Sequence, residues 1–92
     1  MSIVDKFLNK IFILLDEEPS HDDFDNFNDL EDWFLDNAES LAEENEYICN
    51  LGDLMQDEIS KMSYMVDNSV QINNIKKIYE RMQEIYKGMQ NN

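Results

Sequence analysis

The feature that most constrains this chain is how little turn-forming sequence it contains. Glycine occurs only at Gly52 and Gly88, and proline only at Pro19, in 92 residues. Strand-turn-strand architectures need a turn after every strand, and many of those turns use glycine or proline at fixed positions. The scarcity of both residues therefore favours an all-α fold. At this length we expect a single helical domain, residues 1–92, with a modest core.

Apolar residues recur at helical spacing along most of the sequence. Together with candidate N-caps and Pro19, this periodicity predicts a compact bundle of four to five helices, at about 2–17, 21–27, 29–50, 53–66 and 69–90. The 21–27 helix would be a short turn, and Asn28 would cap the long helix that follows it. Gly52 would then end or kink that long helix.

The last predicted helix carries a heptad-like apolar seam. Its members are spaced 3-4-3-4-3 along the chain: Ile72, Ile75, Tyr79, Met82, Tyr86 and Met89. A seam of this kind packs either against other helices of the same chain or against a second copy. We expect packing within the bundle, with homodimerisation through the seam as the alternative.

Charge is distributed very unevenly along the chain. From Ile11 to Ser60 there are 17 acidic residues and no Lys or Arg, whereas the other 42 residues hold four acids and all seven bases. The net charge is −14. Such a surface repels nucleic acid and anionic lipid headgroups, and it attracts basic proteins.

A helical projection of residues 29–48 separates these acids from the apolar residues. At about 100° per residue, Leu30, Phe34, Leu41 and Ile48 share one face. Six acids spaced 3-4-3-4-3 occupy the opposite face and are called the acidic ridge: Asp29, Asp32, Asp36, Glu39, Glu43 and Glu46. Asp22, Asp23 and Asp25 precede the ridge, and Leu35 and Tyr47 flank it as candidate apolar anchors for a partner. Neighbouring like charges on a helix would cost about 1–2.5 kcal/mol over the ridge.

Two interpretations of the ridge follow from the sequence, and both stay open at this point. It is either a solvated face that supplies solubility, or a binding face that resembles a row of phosphates and occupies the basic groove of another protein. An EF-hand is excluded, because a loop starting at Asp23 would place Phe27 at a ligand position and Phe34 at the bidentate one.

The sequence offers little for catalysis. His21 is the only histidine, Cys49 is the only cysteine, and no catalytic or phosphate-binding motif occurs. We therefore predict no enzymatic activity, no catalytic residue, no metal site and no cofactor. A single cysteine, the lack of a leader pattern and a longest apolar run of five residues predict a cytoplasmic protein.

A small, cysteine-poor, strongly acidic helical chain resembles the immunity proteins that neutralise bacterial nuclease toxins of the colicin and contact-dependent-inhibition type. The resemblance covers size, charge and helicity, and it involves no diagnostic motif. It implies an inhibitor that binds a basic nuclease toxin through the acidic face and blocks its nucleic-acid site. Phage-encoded nucleic-acid mimics that block restriction or CRISPR proteins are a second resemblance. A small dimeric scaffold or regulator is the third alternative.

Overall fold

The chain folds as an all-α bundle. A computed structural model describes residues 2–16, 23–62 and 67–90. In these residues there are four helices and no strand: α1 (Ile3–Asp16), α2 (Asp23–Glu44), α3 (Glu46–Ser60) and α4 (Ser69–Gln90). The all-α prediction is confirmed. None of these helices has the length and apolar character needed to cross a bilayer.

Consecutive helices run antiparallel around the bundle. At one end, the backbone N–H of Val4 in α1 donates to the Glu44 carboxylate at the end of α2, at 2.7 Å. At the same end, the Asn45 side-chain amide lies 3.1 Å from the sulfur of Met89 in α4. The α4 helix also packs against α1, which closes the ring of four. The resulting bundle measures 44 × 23 × 20 Å.

An aromatic stack joins α1 to α2 in the core. The Phe7 ring of α1 stacks on both Trp33 and Phe34 of α2, with ring centroids 5.7 and 5.4 Å apart. The Lys10 ammonium lies 5.4 Å from the centre of the Trp33 ring, a cation–π contact on the bundle surface. Phe7 and Phe34 are buried, so this stack is part of the hydrophobic core.

The predicted boundary near Asn28 is wrong. The α2 helix begins at Asp23 and continues through Asn28 to Glu44, so residues 23–27 of the predicted 21–27 helix belong to the long helix, while 21 and 22 lie outside the described residues. Nothing between 23 and 44 is a glycine or proline, and Phe27 and Leu30 on either side of Asn28 are both buried in the core. Burial on both sides of the polar residue keeps the segment in a single helix.

The predicted long helix over 29–50 is also wrong, because the chain reverses at Asn45. This residue has extended backbone angles (φ −159°, ψ 109°), and its side-chain oxygen accepts a hydrogen bond from the Ile48 N–H at 3.0 Å. Its own N–H still donates to the Leu41 carbonyl at 2.8 Å, as the last turn of α2 requires. Asn45 is thus the whole connection between two antiparallel helices, and it is the N-cap of the second.

Gly52 does not end a helix, contrary to prediction, and the helix predicted at 53–66 starts earlier, because α3 covers 46–60. Residues 63–66 of that prediction lie outside the described residues. A Cβ atom built on Gly52 would lie 2.7 Å from the Phe34 ring. The residue lacks a side chain because α2 and α3 approach closely there. The helix ends instead where the Lys61 N–H donates to the carbonyls of Glu58 and Ile59.

The apolar seam of α4 packs inside the chain, within the predicted 69–90 range. Ile72, Ile75 and Met82 are buried, while Tyr79, Tyr86 and Met89 are partly buried against the same core. A homodimer through this seam would therefore have to compete with the chain's own core.

Candidate acidic binding face

The acidic ridge is exposed, but it is divided between two helices. Its five α2 members are all exposed and span about 21 Å at 1.5 Å per residue: Asp29, Asp32, Asp36, Glu39 and Glu43. Glu46, which the sequence places on the same helix, lies in the first turn of α3. Asp23 and Asp25 lie in the first turn of α2, their side chains outside the described part of the structure. Asp22 and His21 are outside it altogether.

A second row of acids lies on α3, and sequence reasoning did not assign it to the site. Glu46, Asp53 and Asp57 are all exposed, and they are called the α3 acid row. The predicted boundary at Gly52 concealed the row, because it placed Glu46 and Asp53 on different helices. The signal was nonetheless present, since seven-residue and four-residue steps put all three on one side of a helix.

Cys49 shows which way the α3 acid row faces. Its thiol is half-buried and lies 3.4 Å from the Ala38 carbonyl of α2. Burial raises the pKa of the Cys49 thiol, and the nearby carboxylates of Asp53 and Glu46 raise it further. A negative charge disfavours a thiolate only when it is close to it. Glu46 and Asp53 lie three residues before and four residues after Cys49, so helix spacing places them beside the part of α3 that contacts α2.

Leu35 lies between the two rows of acids. Its side chain is 53% exposed. It is one helical turn from Glu31, which shares a small cleft with Gln56 of α3, and nearly one turn from Ala38, which contacts Cys49. Leu35 therefore lies at the α3-facing edge of α2, between the ridge and α3.

Tyr47, the other candidate anchor, lies on a different side of the molecule. It is 72% exposed, and it shares its helix face with Leu54, which is 54% exposed and seven residues further on. Glu58, one turn beyond Leu54, accepts a hydrogen bond from Asn74 of α4 at 3.2 Å. This face therefore borders α4, so Tyr47 lies on the side of α3 away from Leu35.

The two central helices carry an uncompensated negative charge. Residues 23–60 contain 13 acidic residues and no Lys or Arg. The carboxylate of Glu58 lies 3.6 Å from the Lys61 ammonium, just past the end of α3. Within the described residues no acid of the ridge or of the α3 acid row forms an ion pair, and no three Asp, Glu, Cys or His side chains converge as a metal site.

The opposite side of the bundle has a different surface. A shallow cleft of about 440 Å³ lies between α1 and α4, with Phe12, Tyr79 and Tyr86 in its lining. Phe12 is 50% exposed. Asp5 and Lys87 also line the cleft, so its charges are of both signs.

No protein family, curated protein or solved structure matches this chain. The geometry and charge of the acidic face are therefore the basis for a proposed function.

Proposed function

We propose that this protein is a non-enzymatic inhibitor that binds a basic protein through the acidic face of α2 and α3. The partner is of the nuclease-toxin kind, and binding blocks its nucleic-acid site, as an immunity protein does. The observation that carries the proposal is the pair of helices with 13 acids and no base. The ridge carboxylates lie about 5 Å apart along the axis, a spacing similar to that of backbone phosphates.

The stability cost of the ridge supports a binding role over solubility alone. Like charges at i,i+3 and i,i+4 cost about 0.2–0.5 kcal/mol per pair. Solubility requires net charge but not the removal of every base from 38 consecutive residues, 23–60. A field of one sign steers an oppositely charged partner during diffusion, so association should be fast and strongly salt-dependent.

Leu35 supports a specific protein partner. Tight interfaces combine a charged surround with a few apolar side chains that enter pockets of the partner. Leu35 is exposed between two rows of carboxylates. We therefore expect the partner to present a small apolar pocket bordered by Lys and Arg.

Capture with matched charge variants tests the proposal. The tagged chain is used to isolate basic proteins from a lysate at low salt and at about 0.5 M salt, where the Debye length falls to a few ångströms. Nuclease activity of the captured protein is then measured as the chain is added back. Asp36→Lys with Glu39→Lys should abolish capture and inhibition. Glu80→Lys with Glu84→Lys, an equal charge change on α4, should leave both intact.

Two outcomes would contradict this function. If the Asp36→Lys, Glu39→Lys variant captured the same protein as wild type, the ridge would not be the binding face. If the captured protein cut nucleic acid equally well with the chain present, the chain would not be an inhibitor. Leu35→Ala should weaken binding by about 1–2 kcal/mol, as loss of a buried interface leucine does. Tyr47→Ala should have a smaller effect, because Tyr47 lies on the side of α3 next to α4.

A nucleic-acid mimic is the second candidate, and the α3 acid row is the observation that favours it. Two neighbouring rows of carboxylates, on α2 and α3, resemble two phosphate strands more closely than one ridge does. A mimic should bind several unrelated nucleic-acid-binding proteins and be displaced from each by duplex DNA. An immunity protein should bind one nuclease and resist displacement.

A further inference from the structure

One residue separates α2 from α3, and the core pattern passes through it without interruption. Six buried residues spaced seven apart run from α2 through α3 to the residue that follows it: Phe27, Phe34, Leu41, Ile48, Met55 and Met62. A repeat of seven keeps apolar residues on one side of a continuous helix. The apolar stripe of α2 therefore continues in register into α3, although the chain reverses at Asn45.

The local sequence around Asn45 does not by itself require a turn. Residues 41–49 contain neither glycine nor proline, and no residue there has a positive φ angle. A change in φ and ψ at Asn45 alone, from extended to helical, would join the two helices into one that spans 23–60. At Asn45 itself, the turn is stabilised by the cap bond from the Ile48 N–H and by the contact between Asn45 and Met89.

The negative end of the α2 dipole lies among acidic side chains in the hairpin, although the Glu44 carboxylate accepts a hydrogen bond from the Val4 N–H. The last turn of α2 holds Glu43 and Glu44 and no base, at the negative end of the helix dipole, where cations are preferred. A continuous helix has no such end at that place. It also satisfies the backbone groups that two helix ends leave without intrahelical partners.

We propose that this chain exchanges helices with a second copy by straightening at Asn45. In the exchanged dimer, α1 and α2 of one copy pack against α3 and α4 of the other. The Phe34 and Gly52 contact, the Cys49 and Ala38 contact and the α1–α4 contact all form again, between copies. The second copy is the one partner that reproduces every one of these contacts, since exchange conserves them.

Charge sets the conditions for the exchange. Glu43, Glu44 and Glu46 lie next to the hinge, so two copies bring six carboxylates together near the symmetry axis. Salt screens this repulsion. The dimer should therefore increase with protein concentration and with salt, and it should exchange subunits slowly, because each exchange requires the bundle to open.

Three variants test the hinge by sedimentation equilibrium from micromolar to millimolar concentration. Asn45→Ala removes the cap and favours helix, so its association constant should rise about 10- to 100-fold over wild type. Asn45→Gly keeps a tolerated cap residue but opposes a continuous helix, so it should stay monomeric. Asn50→Ala makes the same Asn→Ala change at an exposed α3 position away from the hinge, and it should behave as wild type.

A distance within one chain identifies the exchange. Spin labels are placed at Asp32→Cys and Asp57→Cys in a Cys49→Ser background, and the labelled chain is diluted into excess unlabelled chain. In the hairpin the labels lie on neighbouring helices whose axes are about 8–10 Å apart. In the straightened chain the two positions are 25 residue steps apart and lie about 37 Å from each other. The long distance should dominate for the Asn45→Ala dimer.

Two results would overturn the proposal: an Asn45→Ala dimer with the short distance, which is a surface dimer, or a folded Asn45→Ala chain that stays monomeric at millimolar concentration and high salt. If that variant does not fold, wild type decides instead. Wild type refolded from urea at millimolar concentration in high salt should give a dimer with the long distance. Refolding that yields monomer alone under those conditions overturns the proposal.

Discussion

The α2–α3 pair and the α1–α4 pair bury apolar side chains in one core, but their exposed surfaces differ in charge. On α2 and α3, 13 acids occur with no base, whereas α1 and α4 carry six bases and four acids. On α4 the Arg81 guanidinium lies 3.1 Å from the Glu84 carboxylate, an ordinary mixed surface. Because both pairs supply residues to one core, a base-free surface is not a requirement of this fold. The charge of α2 and α3 can therefore be changed by mutation without disrupting the core.

The largest loss of stability is expected at the aromatic stack that joins α1 to α2. Phe7 of α1 is 1% exposed and stacks on two rings of α2. Phe7→Ala should cost about 3–5 kcal/mol of unfolding free energy. Phe12→Ala, on the same helix but 50% exposed, should cost about 1 kcal/mol. Urea denaturation measures both, and equal losses would mean that the aromatic stack does not hold α1 to α2.

Replacing each glycine with alanine should change the stability of the fold in opposite directions. Gly52→Ala places a Cβ 2.7 Å from the buried Phe34 ring, and overpacking of this kind costs about 1–3 kcal/mol. Gly88→Ala meets nothing within 4 Å, so it should stabilise α4 by up to about 1 kcal/mol through helix propensity. Thermal melts of the two variants check this. A stabilising Gly52→Ala would show that α2 and α3 are not closely packed there.

Charge reversal should also change stability in opposite directions in the two pairs. Asp36→Lys with Glu39→Lys replaces repulsion on the ridge with attraction and should stabilise the fold by about 1 kcal/mol. Glu80→Lys with Glu84→Lys removes the Arg81 ion pair and gathers bases on α4, so it should destabilise by about 1 kcal/mol. Both effects, followed by urea denaturation, should shrink as salt is added. Changes of the same sign would show that the surface of α2 does not repel itself.

The smallest effect concerns two titrating side chains, one in each pair. Burial raises the pKa of the Cys49 thiol above its ordinary 9.0, with Asp53 and Glu46 adding to the rise. For Tyr79 burial alone raises the pKa above its ordinary 10.0. The folded protein is more stable when both groups are neutral. Their contributions are complete below those ordinary values and are lost as pH rises through the raised pKa of each group.

Salt distinguishes the two titrations. It should lower the Cys49 pKa partway toward its ordinary value, because screening weakens the carboxylate part of the shift but not the burial part. It should leave the Tyr79 pKa in place. Ultraviolet absorbance of the thiolate and phenolate follows both, with Tyr79→Phe as the reference. Glu46→Gln with Asp53→Asn should remove the salt effect on Cys49, and an unaltered salt effect would place the α3 acid row away from the thiol.

Periodicity predicted the helical class, the buried face of each helix and the exposure of the ridge, because burial follows the spacing of apolar residues. It failed at Asn45 for the same reason. Leu41 and Ile48 keep one seven-residue step across the reversal, so the pattern indicates a continuous helix where tertiary packing forms a hairpin. At Gly52 the sequence predicted a helix end where the helix continues. The glycine is needed there because α3 approaches Phe34 closely.

The site was predicted in part. The α2 ridge and the exposure of Leu35 follow from a projection of a single helix. The α3 acid row cannot be predicted in this way, because its position next to the ridge depends on the reversal of the chain at Asn45. Tyr47 was grouped with Leu35 by the same projection, and the reversal moves it to the side of α3 next to α4.

The α1–α4 cleft also has a consequence for how the chain folds. In the described structure the other extensive helix contacts join consecutive helices, and such local contacts form quickly. Phe12 and Tyr79, which line the cleft together, are far apart in the sequence, so bringing α1 and α4 together carries a large loop-closure entropy. Folding should thus begin in the hairpins and finish when α1 docks on α4. Changes at Phe12 should then mainly speed unfolding, whereas changes at Leu41 or Ile48 should mainly slow folding.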